Sequence, residues 1–506
     1  MTSSVLVIPP HTDMTLSVVR QPGWMLYDMN RAFALRVLQP RHIDREMDAL
    51  EQQTSVSHKE TLQSVLLGRS AAMLLTCSSS FHSYFHAARA ALISLSAGSA
   101  TPLTLDDLEI VEGTTENPDD VCRAADNTML FEQEVAEAID VCQDASSVRI
   151  WLEHDKQLPV ALALANRLDR RIRLELAGPF TQAHRHVLTQ RPLFDRAFCV
   201  DSNAIQWLHV GLPSRPSYGE NLAWRAQSTD AQPRGALPWA GYAPLSALLD
   251  PERLIASQCR VVVVGFCAIG ENIRSYDGKL LTRSAIQQGT ARLRRAGIRV
   301  IAEWWIGAPG VSAPHLYQTL EEIQRGSFFD WLSGFRLFQW PIKKLGGRWG
   351  DVTVHVNARS AEHSLARSCP FSAPATLEPA EAYAMLTRLR QQLSFNHFPP
   401  SPGRIAGAYV HTPKTIGPRG PGICLDPDCT IVRLSLSPSG TSGPAWFAVN
   451  LRVGTITAVD SRLAPILAEM RNPAPPIAAL ATIPEGQRAR TFQALVKKQI
   501  LVELPT

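Results

Sequence analysis

Three apolar runs set the pattern of the chain's middle: Arg260-Val-Val-Val-Val-Gly-Phe266, Ile298-Arg-Val-Ile-Ala-Glu-Trp-Trp-Ile306 and Gly334-Phe-Arg-Leu-Phe-Gln-Trp340. Runs that are apolar on both faces and alternate with helices have the pattern of parallel strands buried between layers. Between the first two, Leu281, Ala285, Gly289, Leu293 and Ala296 form one stripe at helical spacing, and Gly297 suits a left-handed C-cap. After the second, Ser312-Ala-Pro314 opens a helix that carries Leu316, Leu320 and Ile323. The spacing predicts consecutive β-α units. Gly307, Ala308, Pro309 and Gly310 then fall at the C-terminal end of a strand, where α/β folds gather ligands. Together with Trp305 they are the candidate ligand-binding residues.

A second alternation occupies the N-terminal part. Ser4–Ile8 reads as a buried strand, Arg31–Leu38 as a helix, and residues 40–70 as polar and helical, followed by a short apolar run at Met73–Leu75 and an alanine-rich helix over Phe81–Leu95. Gly98–Asp126, rich in Thr, Asp, Pro and Glu, reads as a surface loop. Ser147–Leu152, Arg173–Ala177 and Arg196–Val200 are predicted strands, with helices over Gln157–Leu168 and Thr181–Gln190 between them. Towards the C-terminus the pattern predicts a strand over Asp351–Val356, a helix over Pro379–Arg390, loops around one or two short strands through residues 397–443, a hairpin of Ala445–Asn450 with Gly454–Val459, helices at Ser461–Met470 and Glu485–Lys498, and a last strand at Ile500–Leu504.

The residues at these positions carry a resemblance. Gly265-Phe-Cys-Ala268, Ala296-Gly-Ile298 and Gly307-Ala-Pro-Gly-Val311 resemble the C-terminal half of the barrel in cobalamin-binding-domain radical SAM proteins, with Cys267 and Val311 standing where that family has Glu. Gln157-Leu158, Ala161–Ala165, Ala177-Gly-Pro179, Leu193-Phe-Asp195 and Glu220-Asn-Leu-Ala-Trp-Arg225 resemble its cobalamin-binding domain, although Ala177 replaces one Gly of a pair and Asp201-Ser-Asn-Ala204 replaces a Gly-Glu pair. The helices closed by a short β element at the C-terminus resemble the winged-helix tails of peptide-modifying members.

The resemblance implies an α/β chain with a doubly wound, cobalamin-binding-like domain over residues 1–225, a truncated β/α barrel over 226–350, and a small α+β domain with a winged-helix-like end over 351–506. A whole barrel needs about 200 residues or more. The stretch between Arg225 and Arg260 is too short for the missing units at about 30 residues each, and much of Gln232–Tyr242 reads as linker. The Arg260–Phe266 strand would then have an unpaired edge, for which an interface with a second copy or a partner enzyme is the expected cover.

Composition narrows the chemistry. The 506 residues are 45% hydrophobic and 19% charged, with a net charge of +4, as in an ordinary soluble globular protein. No Lys/Arg block is interleaved with aromatics, no run is long enough to span a bilayer, and the N-terminus lacks a signal-peptide pattern, so the expectation is a cytoplasmic protein that binds neither nucleic acid nor membrane. The nine cysteines include no Cys-x-x-x-Cys-x-x-Cys, the run with which radical SAM enzymes hold their cluster. No iron–sulfur cluster or SAM is therefore expected, and cobalamin is not expected either, because the Cβ of Ala177 would partly obstruct the turn where the family keeps glycine.

Cys424-Leu-Asp-Pro-Asp-Cys429, with Cys369, His397 and His411 nearby in sequence, lacks a second Cys/His pair and reads as loop thiols rather than a zinc site, so no metal is assigned. Glu303 and Arg336 interrupt apolar strands, so each must be paired, exposed or lining a polar cavity. With Cys267 they are the candidate catalytic residues. Arg292, Arg294, Arg295 and Arg299 read as the solvated face of a helix, with steering of an acidic peptide as the functional alternative.

The function these features predict is that of a degenerate radical SAM-like protein that binds a peptide, a small molecule or a partner enzyme in natural-product maturation, as a homodimer or in a heteromeric complex. The alternative is a cluster-independent enzyme that uses the half-barrel, and a pocket gathering Glu303, Arg336 and Cys267 would favour it.

Overall fold

The structure, a computed structural model, describes the chain apart from residues 1–2, 12, 19–22, 54–58, 78–80, 106, 191, 202–204, 210, 213–214, 217–221, 226–236, 327, 342–345, 358–359, 393–421, 435–443, 472–482 and 505–506. It forms two compact units, each built from two segments: Met1–Phe33 with Asp106–His411, and Ala34–Leu105 with Thr412–Thr506. Among the described residues no helix is long and apolar enough to cross a membrane.

The first unit is mixed α/β, and its two larger sheets among the described residues have five and nine strands. The strands needed to describe them, in chain order, are β1 (Ser3–Ile8), β2 (Leu16–Val18), β3 (Met25–Asp28), β4 (Ala145–Trp151), β5 (Arg173–Ala177), β6 (Phe198–Cys199), β7 (Trp207–His209), β8 (Leu222–Arg225), β9 (Trp239–Tyr242), β10 (Cys259–Ile269), β11 (Asn272–Ser275), β12 (Leu280–Thr282), β13 (Arg299–Ile306) and β14 (Trp331–Leu337). The smaller sheet is all parallel, in the order β3-β1-β4-β5-β6, so the chain reverses direction across the sheet between β1 and β4, as in doubly wound folds. Val5 to Ile8 are fully buried, as an apolar run with no polar face requires.

Ala177 is the last residue of β5, and its methyl group is buried in a cluster with Leu6, Ile8, Leu16, Val18, Trp151 and Trp207. The expected obstruction of a ligand turn by Ala177 is therefore incorrect. The turn residue is Gly178, at φ +105°, where a Cβ would lie 2.3 Å from the Leu152 carbonyl oxygen. Asp201 is described, but the Ser202–Ala204 part of the other substitution lies outside the described residues, as do Glu220 and Asn221.

The larger sheet corrects the sequence reading in two places. Trp239–Tyr242 is a buried strand rather than linker, and Leu222–Arg225 is a strand as well. β9 runs parallel to both its neighbours and β8 runs parallel to β9, giving five consecutive parallel strands, β8-β9-β10-β13-β14. Neither edge of β10 is left unpaired: β9 takes one and β13 the other, while the β11–β12 hairpin continues from β10's C-terminal end. The argument for an interface along Arg260–Phe266 therefore loses its premise. At the far side β7 pairs antiparallel with β8, and β2 pairs antiparallel with β7.

One face of these strands, with Val262, Val264, Phe266, Val300, Ala302, Trp304 and Ile306, packs against the helices Arg283–Arg295 and Ala313–Arg325 through Ile286, Leu293, Leu316 and Leu320. Each such side chain contributes about 1.5–3 kcal/mol when fully buried. The other face carries Ala240, Val261, Val263 and Ile301, against which Tyr242 and Trp331 pack. The first helix ends as expected, with Gly297 at φ +81°. The stretch read as a loop over Gly98–Asp126 contains a helix, Pro118–Ala125, whose N-cap Asn117 accepts a hydrogen bond from the Asp119 amide.

In the second unit the polar 40–70 region and the apolar run after it form two helices, Pro40–Gln53 and Lys59–Cys77, and Met73–Leu75 lies inside the latter. Phe81–Leu95 is the third helix. A three-stranded antiparallel sheet, Cys429–Leu434 with Ala445–Asn450 and Thr455–Val459, packs against the helices Leu463–Glu469 and Glu485–Lys497. The expected winged-helix end is not what forms. The hairpin precedes its helices and belongs to this sheet, and Leu501–Leu504 pairs instead with Gly422–Leu425.

Candidate functional site

The C-terminal ends of β13 and β14 border a cleft of about 380 Å³. Ile306 and Gly307 at the end of β13, and Leu337, Phe338 and Gln339 at the end of β14, form one side. The other side comes from residues 360–382: a short turn at Ala361–His363, a strand pair of Ser368–Cys369 with Trp340–Pro341, and the start of the helix Pro379–Gln392. Residues 363–367 are also tied to connections between the strands of the five-stranded parallel sheet. His363 Nδ1 lies 3.1 Å from Glu116 Oε2, the Leu365 amide donates to the Glu116 carbonyl at 2.9 Å, His184 Nε2 lies 2.9 Å from the Ala366 carbonyl, and Arg367 Nε meets Asp155 Oδ1 at 2.8 Å. Burial alone would raise the Asp155 carboxyl, but Arg367, Lys156 and the Thr115 hydroxyl together hold it below the usual range. The wall of the cleft is thus a strap with fixed attachments.

The Gly307–Gly310 loop contributes only in part. Gly307, at φ +80°, borders the cleft. Ala308 and Pro309 are buried, and the Gly310 amide donates to Thr376 Oγ1 at 3.0 Å. Trp305 is half-buried against Tyr276, ring centroids 4.6 Å apart.

Glu303 and Arg336 are brought together. Arg336 Nε donates to Glu303 Oε1 at 2.6 Å, with Glu303 1% exposed and the Arg336 side chain 46% exposed. Tyr242 hydrogen-bonds the same carboxylate, and burial together with Glu303 pushes its phenol well above the usual range. Cys267 is not part of this network. It is buried in the helix-facing core, where its carbonyl accepts from Trp304 Nε1 at 3.0 Å and burial pushes its thiol well up. A buried thiol of that kind is a poor nucleophile. None of the three lines the cleft described above.

The arginine cluster is mostly paired: Arg292 with Glu252 at 2.7 Å, and Arg294 and Arg299 with Asp330 at 2.8 and 3.5 Å. Cys424 and Cys429 are buried, while His397 and His411 lie outside the described residues. Among the described residues no group of three or more His, Cys, Asp or Glu side chains is placed to hold a metal ion.

No protein-family model matches the chain. No curated protein matches it either. Among solved structures it is similar to TsrM from Kitasatospora setae, a radical S-adenosylmethionine methyltransferase. The form with cobalamin and an iron–sulfur cluster bound gives a TM-score of 0.22 at 13% identity, over 55% of this chain and 48% of that one. The chain thus spans about half the length of that structure. The form with tryptophan substrate and a SAM analogue bound gives 0.25 at 10% identity, over 82% of this chain and 94% of that one. The likeness is distant and assigns no role to any residue.

The sequence reading passed over most of the cleft. Gly307 was identified by its place after a strand, but Glu116, Gln339 and His363 carry no local spacing signal, and Cys369 entered only as a remote zinc candidate. What joins them is the strap, which brings residue 116 next to residue 363.

Proposed function

We propose that this chain works without radical SAM chemistry, as a binding protein in the maturation of a peptide or other natural product, and that it holds a small molecule or a peptide segment, free or presented by a partner enzyme, in the cleft at the ends of β13 and β14. The observation that carries this reading is the cleft itself: it is concave, largely apolar, and placed where parallel strands end. The resemblance to radical SAM proteins supplies the setting, and the absence of the three-cysteine run removes the cluster chemistry. No iron–sulfur cluster, SAM or cobalamin enters this reading.

The test is a thermal-shift screen of peptides and small molecules against the protein and against Ala382→Phe, which places a large ring in the cleft. Hits should raise the Tm of the wild type and lose at least about 10-fold in affinity, ~1.4 kcal/mol, in the variant. Hits indifferent to Ala382→Phe, or SAM cleavage after anaerobic reconstitution with iron and sulfide, would count against the reading.

A further inference from the structure

The cleft contains more chemistry than binding requires. Cys369 and His363 both border it, six residues apart on the same strap, and Glu116 borders it from the turn before the helix Pro118–Ala125. The carboxylate at His363 Nδ1 favours the tautomer protonated there, which leaves Nε2, on the opposite side of the ring, as the basic nitrogen. A thiol, an imidazole and a carboxylate that orients the imidazole are the parts of a nucleophile–base–orienter set. The other cysteines lack this company. Cys142, Cys259, Cys267, Cys424 and Cys429 are buried, and burial pushes the half-buried Cys122 up to about 11.

We propose that Cys369 is a nucleophilic thiol that accepts an acyl group from a thioester bound in the cleft, with His363 as its base and Glu116 positioning the imidazole. The inference rests on the cleft being a ligand site. Ile306, Leu337, Phe338, Phe371, Leu377 and Ala382 supply an apolar lining for the acyl chain. The Cys369 proton passes to His363 Nε2 as sulfur attacks the thioester carbonyl carbon, and the C=O pair moves onto oxygen. The tetrahedral adduct collapses, the C–S bond of the incoming thioester breaks, and the departing thiolate takes the proton from the imidazolium. The products are acyl-S-Cys369 and a free thiol, with no change of oxidation state. The step needs the thiol and Nε2 within hydrogen-bond reach once the cleft is filled, and catalytic contacts commonly tighten only then.

The experiment incubates the full chain with hexanoyl-N-acetylcysteamine near neutral pH and follows adducts by intact mass and peptide mapping. A single hexanoyl adduct on Cys369 is expected, absent in Cys369→Ser. His363→Ala should slow it about 100-fold, with partial rescue by added imidazole, and Glu116→Gln about 10-fold. Imidazole rescue separates a base from a merely structural side chain. Acylation confined to the exposed Cys77, an unchanged rate in His363→Ala, or no adduct on folded protein would overturn the proposal. Binding of the unreactive amide analogue, N-(2-acetamidoethyl)hexanamide, by Cys369→Ser, lost in Ala382→Phe, would then show that the cleft still binds ligand and that only the nucleophile had failed.

Discussion

Glu303 is the residue whose surroundings are most demanding. Its carboxylate is taken out of water in the middle of a strand, and Arg336 and Tyr242 are what make that tolerable. Because the arginine remains half in solvent while the glutamate does not, the two truncations are not equivalent. Arg336→Met leaves a buried carboxylate with only the phenol as partner and should cost about 3 kcal/mol, whereas adding Glu303→Gln to it should recover most of that loss, since the group left behind is neutral. Urea unfolding of the single and double variants measures the difference, and a double variant no more stable than Arg336→Met would contradict the account. The same geometry separates the candidate residues named from sequence. Interrupting an apolar strand marked Glu303 and Arg336 as residues that must be paired, exposed or lining a polar cavity, and they are paired, but Cys267 was named only because it stands where the family it resembles has Glu, and its side chain is committed to the core.

At the scale of elements, the helix Arg283–Arg295 shows how closely the parts of the first unit approach one another. A Cβ at Gly289 would lie 1.8 Å from the Leu248 carbonyl oxygen, so the helix touches the turn Leu245–Leu249 at backbone distance. Gly289→Ala should destabilise by about 1–3 kcal/mol although alanine favours helix, because backbone must move. Gly486→Ala, in a helix where the same atom meets nothing within 4 Å, should instead be neutral or gain up to about 1 kcal/mol. Chemical denaturation of the pair checks both signs. Elements were legible wherever periodicity extended over enough residues: β10, β13, β14 and the helices between them lie within a few residues of the sequence-based bounds. β8 and β9 were missed because four-residue strands in Pro- and Gly-rich sequence carry no period, and their pairing with β10 is decided by contacts the local pattern does not contain. The cleft was missed for the same reason on a larger scale, since Glu116 and His363, 247 residues apart, meet only once the unit has folded.

For the whole molecule, each compact unit contains a histidine that burial keeps neutral. His154, beside Arg367 in the first unit, and His86, beside Arg89 and Arg452 in the second, are both pushed down to about 4, with burial the larger cause and the arginine charges adding to it. A ring whose pKa is lower folded than unfolded takes up its proton more readily when the chain unfolds, so stability is lost as pH falls from about 6.5 to about 4, and each ring accounts for on the order of 2–3 kcal/mol over that window. The buried carboxyls Asp28, Glu153 and Asp426 are raised, chiefly by burial, and act in the opposite sense over the same range. The slope of the wild type alone therefore does not isolate the rings, but the difference between wild type and variant does. His154→Gln should lose stability relative to wild type at pH 7.5, where the neutral ring is well accommodated, and the gap should narrow or reverse by pH 4.5, because glutamine has no proton to take up. His86→Gln should do the same for the unfolding of its own unit. Guanidinium unfolding followed at both pH values, with tryptophan fluorescence and far-UV circular dichroism read together, gives the two gaps. Gaps that stay constant with pH would mean that the rings titrate alike in the folded and unfolded chain.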